Sequence, residues 1–200
     1  MERMGIQALC PQPGTSKRHP QHKIYPYLLS KVVIRRANQV WALDTTYIPM
    51  ARGYVYLNAV VDVASRMVLA HKVAITLEAC HAREVIELAF ARWGTPDIVN
   101  TDQGSQFTAT EFTDVVLGQG CQLSMDGRGA WRDNVFVERL WRTIKYEEVY
   151  LHAYANVPEA RASIGRYIGF YNGRRPHSSL DGKTPDQAYF NPLTPVLVAA

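Results

Sequence analysis

Three runs of residues with the composition of β-strands follow one another early in the chain, and short turns separate them. They read "QVWALDTTYI" (39–48), "YVYLNAVVDV" (54–63) and "MVLAHKVA" (67–74), and the last two are joined by "ASR". Valine, isoleucine, threonine and aromatic residues, which favour strands, are frequent in these runs. Ordered structure is therefore expected to begin near Gln39 with an antiparallel meander of three strands.

Helical and strand-like segments alternate after this meander. The first helix is expected to end at Gly94, because glycine readily adopts the left-handed conformation that closes helices. The predicted elements are, in chain order, a helix over 77–94, a strand over 97–102, a helix capped by Thr108 or Thr110, a strand over 121–126, a helix over 133–148, a helix over 157–171 and a short helix capped by Thr184. This order predicts an α/β fold: a mixed five-stranded sheet, with three antiparallel strands followed by alternating βα units and with helices on both faces.

Three acidic residues fall where this topology can bring them together. Asp44 lies in the first strand, Asp102 ends the fourth before Gly104 lets the backbone turn away, and Glu138 lies one turn into the helix after the fifth. Carboxylates that are placed together repel one another, so such a cluster makes sense if it holds divalent cations. Oxygen ligands favour Mg²⁺ or Mn²⁺ over zinc, and two such ions can promote displacement at a phosphodiester.

The helix "DNVFVERLWRTIKYEE" (133–148) carries an apolar stripe formed by Val137, Leu140, Trp141 and Ile144. Glu138 lies on the shoulder of that stripe, and Arg142 and Lys145 lie on the same flank. The simplest reading is a solvated ion pair, which contributes only ~0.3–0.5 kcal/mol. Beside a metal cluster, the two cations could instead grip DNA phosphates.

Four stretches of the chain resemble, in this order, the DDE transposases of bacterial insertion sequences, specifically the insertion sequence three group, whose core is similar to retroviral integrase. They are "WALDTTYI" around Asp44, "NTDQGSQF" around Asp102, "DNVFVERLWRTIKYE" around Glu138 and "YNGRRPHSSLDGKTP" near the C-terminus. The 35 residues between Asp102 and Glu138 match the spacing that names the D-D-35-E subgroup. The resemblance covers about residues 39–190.

This resemblance implies an RNase H-like fold and a catalytic, metal-binding triad of Asp44, Asp102 and Glu138 with two Mg²⁺ (or Mn²⁺) ions per active site. It implies metal-dependent DNA strand cleavage and strand transfer, which is the activity of a polynucleotidyl transferase in transposition. The expected partners are the terminal inverted repeats of the element, target DNA and further copies of the chain in a homo-multimer on DNA. The residues expected to contact DNA are Arg142, Lys145, Gln106, Asn134, Arg174 and Arg175.

Several of these residues have a structural alternative. Gln106 and Asn134 either contact DNA or support their loops, and the basic pair Arg174 and Arg175, which looks exposed, either contacts phosphate or serves solubility. Asp62 is expected to make a hydrogen bond within its own turn, to Ser65 or Arg66, rather than to bind metal. Asp133 is expected to cap the helix that carries Glu138.

Charge is distributed unevenly along the chain. Residues 1–36 contain seven lysines and arginines and one acidic residue, whereas the other 164 residues contain fifteen lysines and arginines and seventeen acidic residues. A basic segment on a slightly acidic body suggests a polyanionic partner, and a solubilising tail is the alternative. The expected domains are a basic, proline-containing N-terminal extension (1–38) that resembles only the tail of the family's upstream helix-turn-helix region, an integrase-like catalytic core (39–152) and a C-terminal helical extension (153–200).

No apolar run approaches the ~20 residues that cross a bilayer. Cys10, Cys80 and Cys121 lack the spacing of a zinc site and are read as reduced thiols. The protein is therefore expected to be cytoplasmic, with no membrane partner, and the resemblance implies a bacterial, nucleoid-associated protein. Two rival functions are an RNase H-like nuclease without joining activity and a catalytically idle DNA-binding fragment of a transposase.

Overall fold

The structure is a computed structural model that describes residues 23–30, 32–126, 135–191 and the backbone of 196–197. Its strands are β1 (Val33–Ile34), β2 (Val40–Pro49), β3 (Tyr54–Asp62), β4 (Val68–Ala74), β5 (Ile98–Thr101), β6 (Gln122–Met125) and β7 (Val196–Leu197). Its α-helices are α1 (Ala79–Trp93), α2 (Ser105–Thr108), α3 (Thr110–Gly118), α4 (Val135–Glu147), α5 (Val157–Gly173) and α6 (Pro185–Phe190). Short 3₁₀ helices span Val149–Leu151 and Ser178–Leu180.

Strands β2 to β6 form one sheet in the order β4-β3-β2-β5-β6. Strand β3 pairs antiparallel with both β2 and β4, whereas β5 pairs parallel with both β2 and β6. The predicted mixed five-stranded sheet is therefore confirmed, and the strand that carries Asp44 lies at its centre. Strands β1 and β7 form a separate antiparallel pair.

The side chains of β2 alternate between two apolar layers. Trp41 and Leu43 belong to the layer built with α1 and α3, whereas Val40 and Ala42 belong to the layer built with α4 and α5. Helices therefore cover both faces of the sheet, as predicted. Because side chains alternate along a strand, Asp44 belongs to the face that α4 covers.

Helix α5 completes the second layer and protects an edge of the sheet. Its residues Ile164 and Ile168 are buried in the same core as the apolar stripe of α4. Asn172 of α5 accepts a hydrogen bond from the backbone N–H of Val68 (3.0 Å) and donates one to the carbonyl oxygen of the same residue (2.9 Å). These bonds satisfy part of the open edge of β4, where a further strand could otherwise add.

Ordered structure begins before Gln39, so that expectation is wrong. Leu29 and Ile34 are each only 1% exposed and lie in the core. The backbone N–H of Leu28 donates to the Ser124 hydroxyl (3.0 Å), which places this segment beside β6. The sequence concealed this packing because the two apolar anchors stand among prolines and basic residues without a helical or strand period.

Two predicted helix ends are confirmed. Gly94 closes α1 with a φ of 79°. Thr184 caps α6 in a reciprocal pair of hydrogen bonds with Gln187, and Pro185 is the first helical residue. The described helices include none with both the length and the apolar character that a bilayer crossing requires.

The predicted cap of the second helix is wrong. Ala109, which has no capping side chain, stands at the N-cap of α3, and Thr110 is already inside the helix. Thr108 belongs to the short helix α2, which the sequence pattern did not predict, and its hydroxyl donates to the carbonyl oxygen of Gly104 (3.1 Å). The hydroxyl of Thr108 thus bonds to the backbone of its own turn, and such local bonding competes with capping of the next helix.

Asp62 holds the turn between β3 and β4. It is fully buried and accepts hydrogen bonds from the backbone N–H of Ser65 (2.8 Å), the Ser65 hydroxyl (2.7 Å) and the backbone N–H of Asn38 (2.7 Å). The expected structural hydrogen bond to Ser65 is therefore confirmed. Burial raises the pKa of Asp62, and these donors oppose that rise because they stabilise its charged form.

Replacing Asp62 should destabilise the protein. Asp62→Ala leaves the buried N–H group of Ser65 and the half-buried N–H group of Asn38 without their acceptor, so we expect the free energy of unfolding to fall by about 2–4 kcal/mol in urea denaturation. Asp114→Ala, at an exposed position of α3, is the matched control and should change stability by less than about 0.5 kcal/mol. Equal effects of the two substitutions would contradict this role of Asp62.

Candidate active site

The register of the sheet brings Asp44 and Asp102 to neighbouring positions. Leu43 of β2 stands opposite Thr101 of β5 in the last pair of this parallel ladder, and each acid is the next residue in its chain. Adjacent strands lie about 4.8 Å apart. The charge of Asp102 also contributes to the raised pKa of Asp44, which shows that the two carboxyl groups are within electrostatic reach.

Helix α4 docks on this part of the sheet through its apolar stripe. Val137, Leu140 and Ile144 are at most 1% exposed and lie in the core that contains Ala42. At the start of the helix, the guanidinium group of Arg66 lies 4.0 Å from the centre of the Phe136 ring. These contacts fix the helix so that its first turn, which contains Glu138, lies beside β2.

Trp141 connects α4 directly to Asp44. Its indole Nε1–H donates to Asp44 Oδ2 (2.8 Å), and the backbone N–H of Thr45 donates to Asp44 Oδ1 (2.7 Å). The sequence pattern assigned Trp141 only to the apolar stripe and missed this contact. The available signal was the indole N–H itself, because a buried tryptophan usually finds a hydrogen-bond acceptor.

A pocket of about 400 Å³ lies between β2 and α4. Its lining residues are Asp44, Thr45, Thr46, Glu138, Trp141, Arg142, Lys145 and Tyr146. Two of the three predicted catalytic acids and both predicted phosphate-binding cations of α4 therefore share one cavity. Asp102 is outside this lining but lies beside Asp44 in the sheet register.

The acids of this site are expensive to ionise together. Burial raises the pKa of Asp44 to about 7, and the nearby charges of Asp102 and Glu138 add to the rise. The hydrogen bonds from Trp141 and Thr45 oppose it, because they stabilise the charged form. Burial also raises the pKa of Asp102. A positive charge placed among these groups would offset both the desolvation and the mutual repulsion.

The donor set suits a hard divalent cation, although the side chains are not closed around one. Among the residues that the structure describes, no three acidic, histidine or cysteine side chains lie close enough to share a metal ion. Each oxygen of Asp44 accepts one hydrogen bond and keeps a further lone pair for a ligand contact. The raised pKa of Asp44 is the observation that favours a cation here, since carboxylate oxygens are the ligands that Mg²⁺ and Mn²⁺ prefer.

The loop after β5 is held close to Asp102 by Gly104. The backbone N–H of Gly104 donates to Asp102 Oδ1 (2.8 Å). A Cβ atom at position 104 would lie 2.7 Å from Gln106 Oε1 and 2.9 Å from Asp102 Oδ1, so a side chain there would force the side chains of Gln106 and Asp102 to move. The φ of Gly104 is an ordinary −60°, so the turn itself does not require glycine, contrary to the suggestion from the sequence. The glycine instead lets Gln106 and Asp102 approach the backbone closely.

The predicted DNA-contacting residues occupy different environments. Arg142 is exposed and Lys145 is half-buried in the pocket wall, whereas Gln106 is only 7% exposed and packs against Gly104. That environment suits support of the loop. Asn134, together with the predicted helix cap Asp133, lies outside the described residues.

The basic pair near the C-terminus divides between two roles. Arg174 is exposed, whereas Arg175 is half-buried and its Nε donates to Glu147 Oε2 (2.9 Å). Its hydrogen bond and charge hold the pKa of Glu147 below the usual value. The expectation that both arginines are exposed is therefore wrong for Arg175, because this ion pair ties it to the end of α4.

Sheet order, helix placement and the acid pair on neighbouring strands together define an RNase H-like, integrase-type core. Solved structures agree on the fold. The simian T-cell lymphotropic virus intasome in complex with PP2A regulatory subunit B56 gamma matches with a TM-score of 0.70 and 20% identity, over 91% of this chain and 64% of that chain. The HTLV-2 integrase catalytic core domain in complex with magnesium (trimeric form) matches with a TM-score of 0.63 and 23% identity, over 77% of this chain and 97% of that chain.

Sequence comparison narrows this class to a family. Two family models, both described as "Integrase core domain", match residues 34–130 and 119–185. The transposase for insertion sequence element IS904 of Lactococcus lactis subsp. lactis (strain IL1403) is 33% identical over 164 residues, which are 80% of this chain and 65% of the relative. Transposase InsF for insertion sequence IS3A of Escherichia coli (strain K12) is 31% identical over 153 residues, which are 75% of this chain and 53% of the relative.

The chain belongs to the integrase core domain family, in the branch of the insertion sequence three transposases, as the sequence motifs predicted. It spans between about half and two-thirds of the length of these curated relatives.

The electrostatics of Asp44 predict a specific dependence of stability on pH without metal. Because its pKa in the folded protein, about 7, lies above the ordinary value of 3.8, ionisation costs folding free energy. That cost is complete above about pH 7 and absent below about pH 4, so wild-type stability is expected to fall as pH rises through this window. Asp44→Asn should remove this fall. Near pH 8 its free energy of unfolding should exceed that of wild type by about 1–3 kcal/mol, reduced by the loss of the hydrogen bond from Thr45.

Chemical denaturation in the presence of a chelator, repeated across this pH range, measures the effect. Asp114→Asn, at an exposed position, is the control and should follow wild type at every pH. A wild-type curve that rises or stays level between about pH 4 and 7, parallel to that of Asp44→Asn, would contradict the raised pKa.

Proposed function

We propose that this chain is the catalytic part of a transposase that cleaves and joins DNA strands during transposition. The observation that carries the proposal is the site of Asp44: a carboxylate on the central strand whose pKa is raised by burial and, to a smaller extent, by the charges of Asp102 and Glu138. Arg142 and Lys145 line the same pocket. Acids that repel one another beside two cationic side chains suit a phosphodiester and its counter-ions better than a small neutral substrate.

Asp44, Asp102 and Glu138 are proposed to hold two Mg²⁺ or Mn²⁺ ions, and the related HTLV-2 integrase core is described in complex with magnesium. When bound, such ions stabilise the negative charge on the attacking and leaving oxygens of a phosphodiester. Each acid comes from a different element, so the site forms only when β2, the loop after β5 and α4 are assembled.

The remaining groups of the pocket position the carboxylate and the DNA. Trp141 and the backbone of Thr45 hold the two oxygens of Asp44 in a fixed orientation. Arg142 and Lys145 bind non-bridging phosphate oxygens and offset the charge that develops during displacement. Arg174, which is exposed, extends this contact to flanking phosphates.

The proposed reaction has two displacements at phosphorus. In cleavage, a water oxygen bonds to phosphorus while the bond from phosphorus to the 3′ oxygen breaks, which frees a 3′-hydroxyl group. In transfer, the oxygen of that hydroxyl bonds to a target phosphorus and its proton passes to solvent. The bond from this phosphorus to the 3′ oxygen of the target strand breaks, and the released oxygen takes up a proton from solvent. The substrates are the terminal inverted repeats and target DNA, and we propose that several copies of the chain assemble on them. The basic segment 1–38 and the extension 153–200 would flank the core (39–152) in this assembly.

Conservative variants of the acids test the proposal. Asp44→Asn, Asp102→Asn and Glu138→Gln should each lower Mg²⁺-dependent strand transfer by roughly a thousandfold or more, because each removes a ligand charge. All three should remain folded in thermal denaturation, and Asp114→Asn should keep full activity. The assay follows a labelled DNA duplex that carries the inverted repeats flanking the gene.

The products distinguish the proposal from its rivals. Cleaved DNA that is never joined would indicate a nuclease, and neither product with the wild-type chain would indicate an idle fragment. Robust strand transfer by Asp44→Asn would refute the assignment of the triad.

A further inference from the structure

Tyr146 is an exposed aromatic residue in the wall of the acidic pocket. Its side chain is 67% exposed. Helix α4 lies wholly within the described residues, and its exposed positions are Glu138, Arg139, Arg142, Tyr146 and Glu147. Tyr146 is the one exposed residue of this helix without a charge, so it presents a large apolar ring to solvent beside groups suited to phosphates and cations.

A second tyrosine holds this ring in place. The ring of Tyr150 meets that of Tyr146 edge-to-face, with the ring centres 5.4 Å apart and an angle of 83° between the planes. Tyr150 belongs to the 3₁₀ helix that follows α4 and is itself 56% exposed. Such a contact restricts the rotation of Tyr146. The high exposure of Tyr146 leaves much of its own ring open.

Tyr146 continues the row of pocket residues along α4. Glu138, Arg142 and Tyr146 are four residues apart, so they fall within a sector of about 80° on the helix. A rise of about 1.5 Å per residue places Tyr146 roughly 6 Å beyond Arg142 and roughly 12 Å beyond Glu138. Stacked bases of one strand are about 3.4 Å apart. A strand that follows α4 would therefore bring a base to Tyr146 about two to four nucleotides from the reacting phosphate.

We propose that Tyr146 stacks on an unpaired nucleobase of the DNA strand bound along α4, and so makes the site favour DNA whose bases are exposed beside the reacting phosphate. The inference rests on the proposed function, because it takes the bound strand to be DNA. A base inside a duplex has both faces covered by its neighbours, so the ring can reach only an unpaired base. Stacking of this kind changes affinity by roughly 5- to 100-fold per base.

The test is a double-mutant cycle between the ring and the base. The probe is a labelled DNA duplex with a short single-stranded overhang, in a series where each overhang nucleotide in turn is abasic. Fluorescence anisotropy with the full chain, without divalent cations so that the DNA stays intact, gives each affinity. Tyr146→Ala should bind the complete overhang about tenfold more weakly, whereas Tyr146→Phe should bind like wild type. An abasic nucleotide at the stacking position should abolish the difference between wild type and Tyr146→Ala.

Two variants separate stacking from other effects. Tyr54→Ala is the matched control. Tyr54 is 56% exposed and its ring centre lies 5.4 Å from that of Tyr47, but it is outside the pocket lining. It should bind every probe like wild type. Lys145→Ala should weaken all probes alike and flatten the log–log salt dependence by about 0.9, as loss of one phosphate contact requires.

The outcomes distinguish this inference from the proposed function. Tyr146→Ala and an abasic nucleotide are each expected to weaken binding. If the two losses of binding free energy add at every position of the overhang, while wild type still binds DNA and transfers strands, stacking by Tyr146 is refuted and the transposase function stands. If the wild-type chain binds none of the probes and also transfers no strands with Mg²⁺, both are refuted. Non-additivity confined to one or two adjacent nucleotides supports the stacking site.

Discussion

The hydrogen bond from Trp141 to Asp44 joins the two structural layers on which the site depends. Asp44 belongs to the central strand, and Trp141 belongs to a helix that follows it by almost one hundred residues; their Nε1 and Oδ2 atoms are 2.8 Å apart. The same helix carries Glu138 one turn earlier and Arg142 one residue later. Docking of α4 therefore orients the acid and completes the pocket in one step, because the same apolar stripe that covers the sheet sets the rotation of the helix.

The acids of this protein divide into those that the fold satisfies and those that it does not. Asp62 receives two hydrogen bonds from Ser65 in its own turn and a third from Asn38, and Glu148 accepts from the hydroxyls of Tyr154 (2.9 Å) and Ser163 (2.5 Å). Burial raises the pKa of Asp44 to about 7, and the charges of Asp102 and Glu138 add to the rise. A buried polar group without full compensation costs stability, and such groups concentrate at functional sites. The contrast separates structural carboxylates from candidate catalytic ones.

Periodicity in the sequence was enough to predict the mixed five-stranded sheet and the apolar stripe of α4, because alternation and helical spacing are local properties. The positions of Asp44 and Asp102 followed from strand ends that meet in a parallel pair. Contacts between distant side chains were not accessible in this way. The bond from Trp141 to Asp44, the burial of Leu29 and the packing of Gln106 against Gly104 all depend on three-dimensional proximity that no local pattern encodes.

The central claim is that carboxylates from three separate elements gather around divalent cations. Crystals of the full chain soaked in Mn²⁺ and measured at the manganese absorption edge test it most directly. The account predicts anomalous peaks about 2.1 Å from carboxylate oxygens of Asp44, Asp102 and Glu138, with the Asp102 side chain turned toward the pocket. Peaks confined to other acids, or no ordered manganese at Asp44 at saturating Mn²⁺, would contradict it.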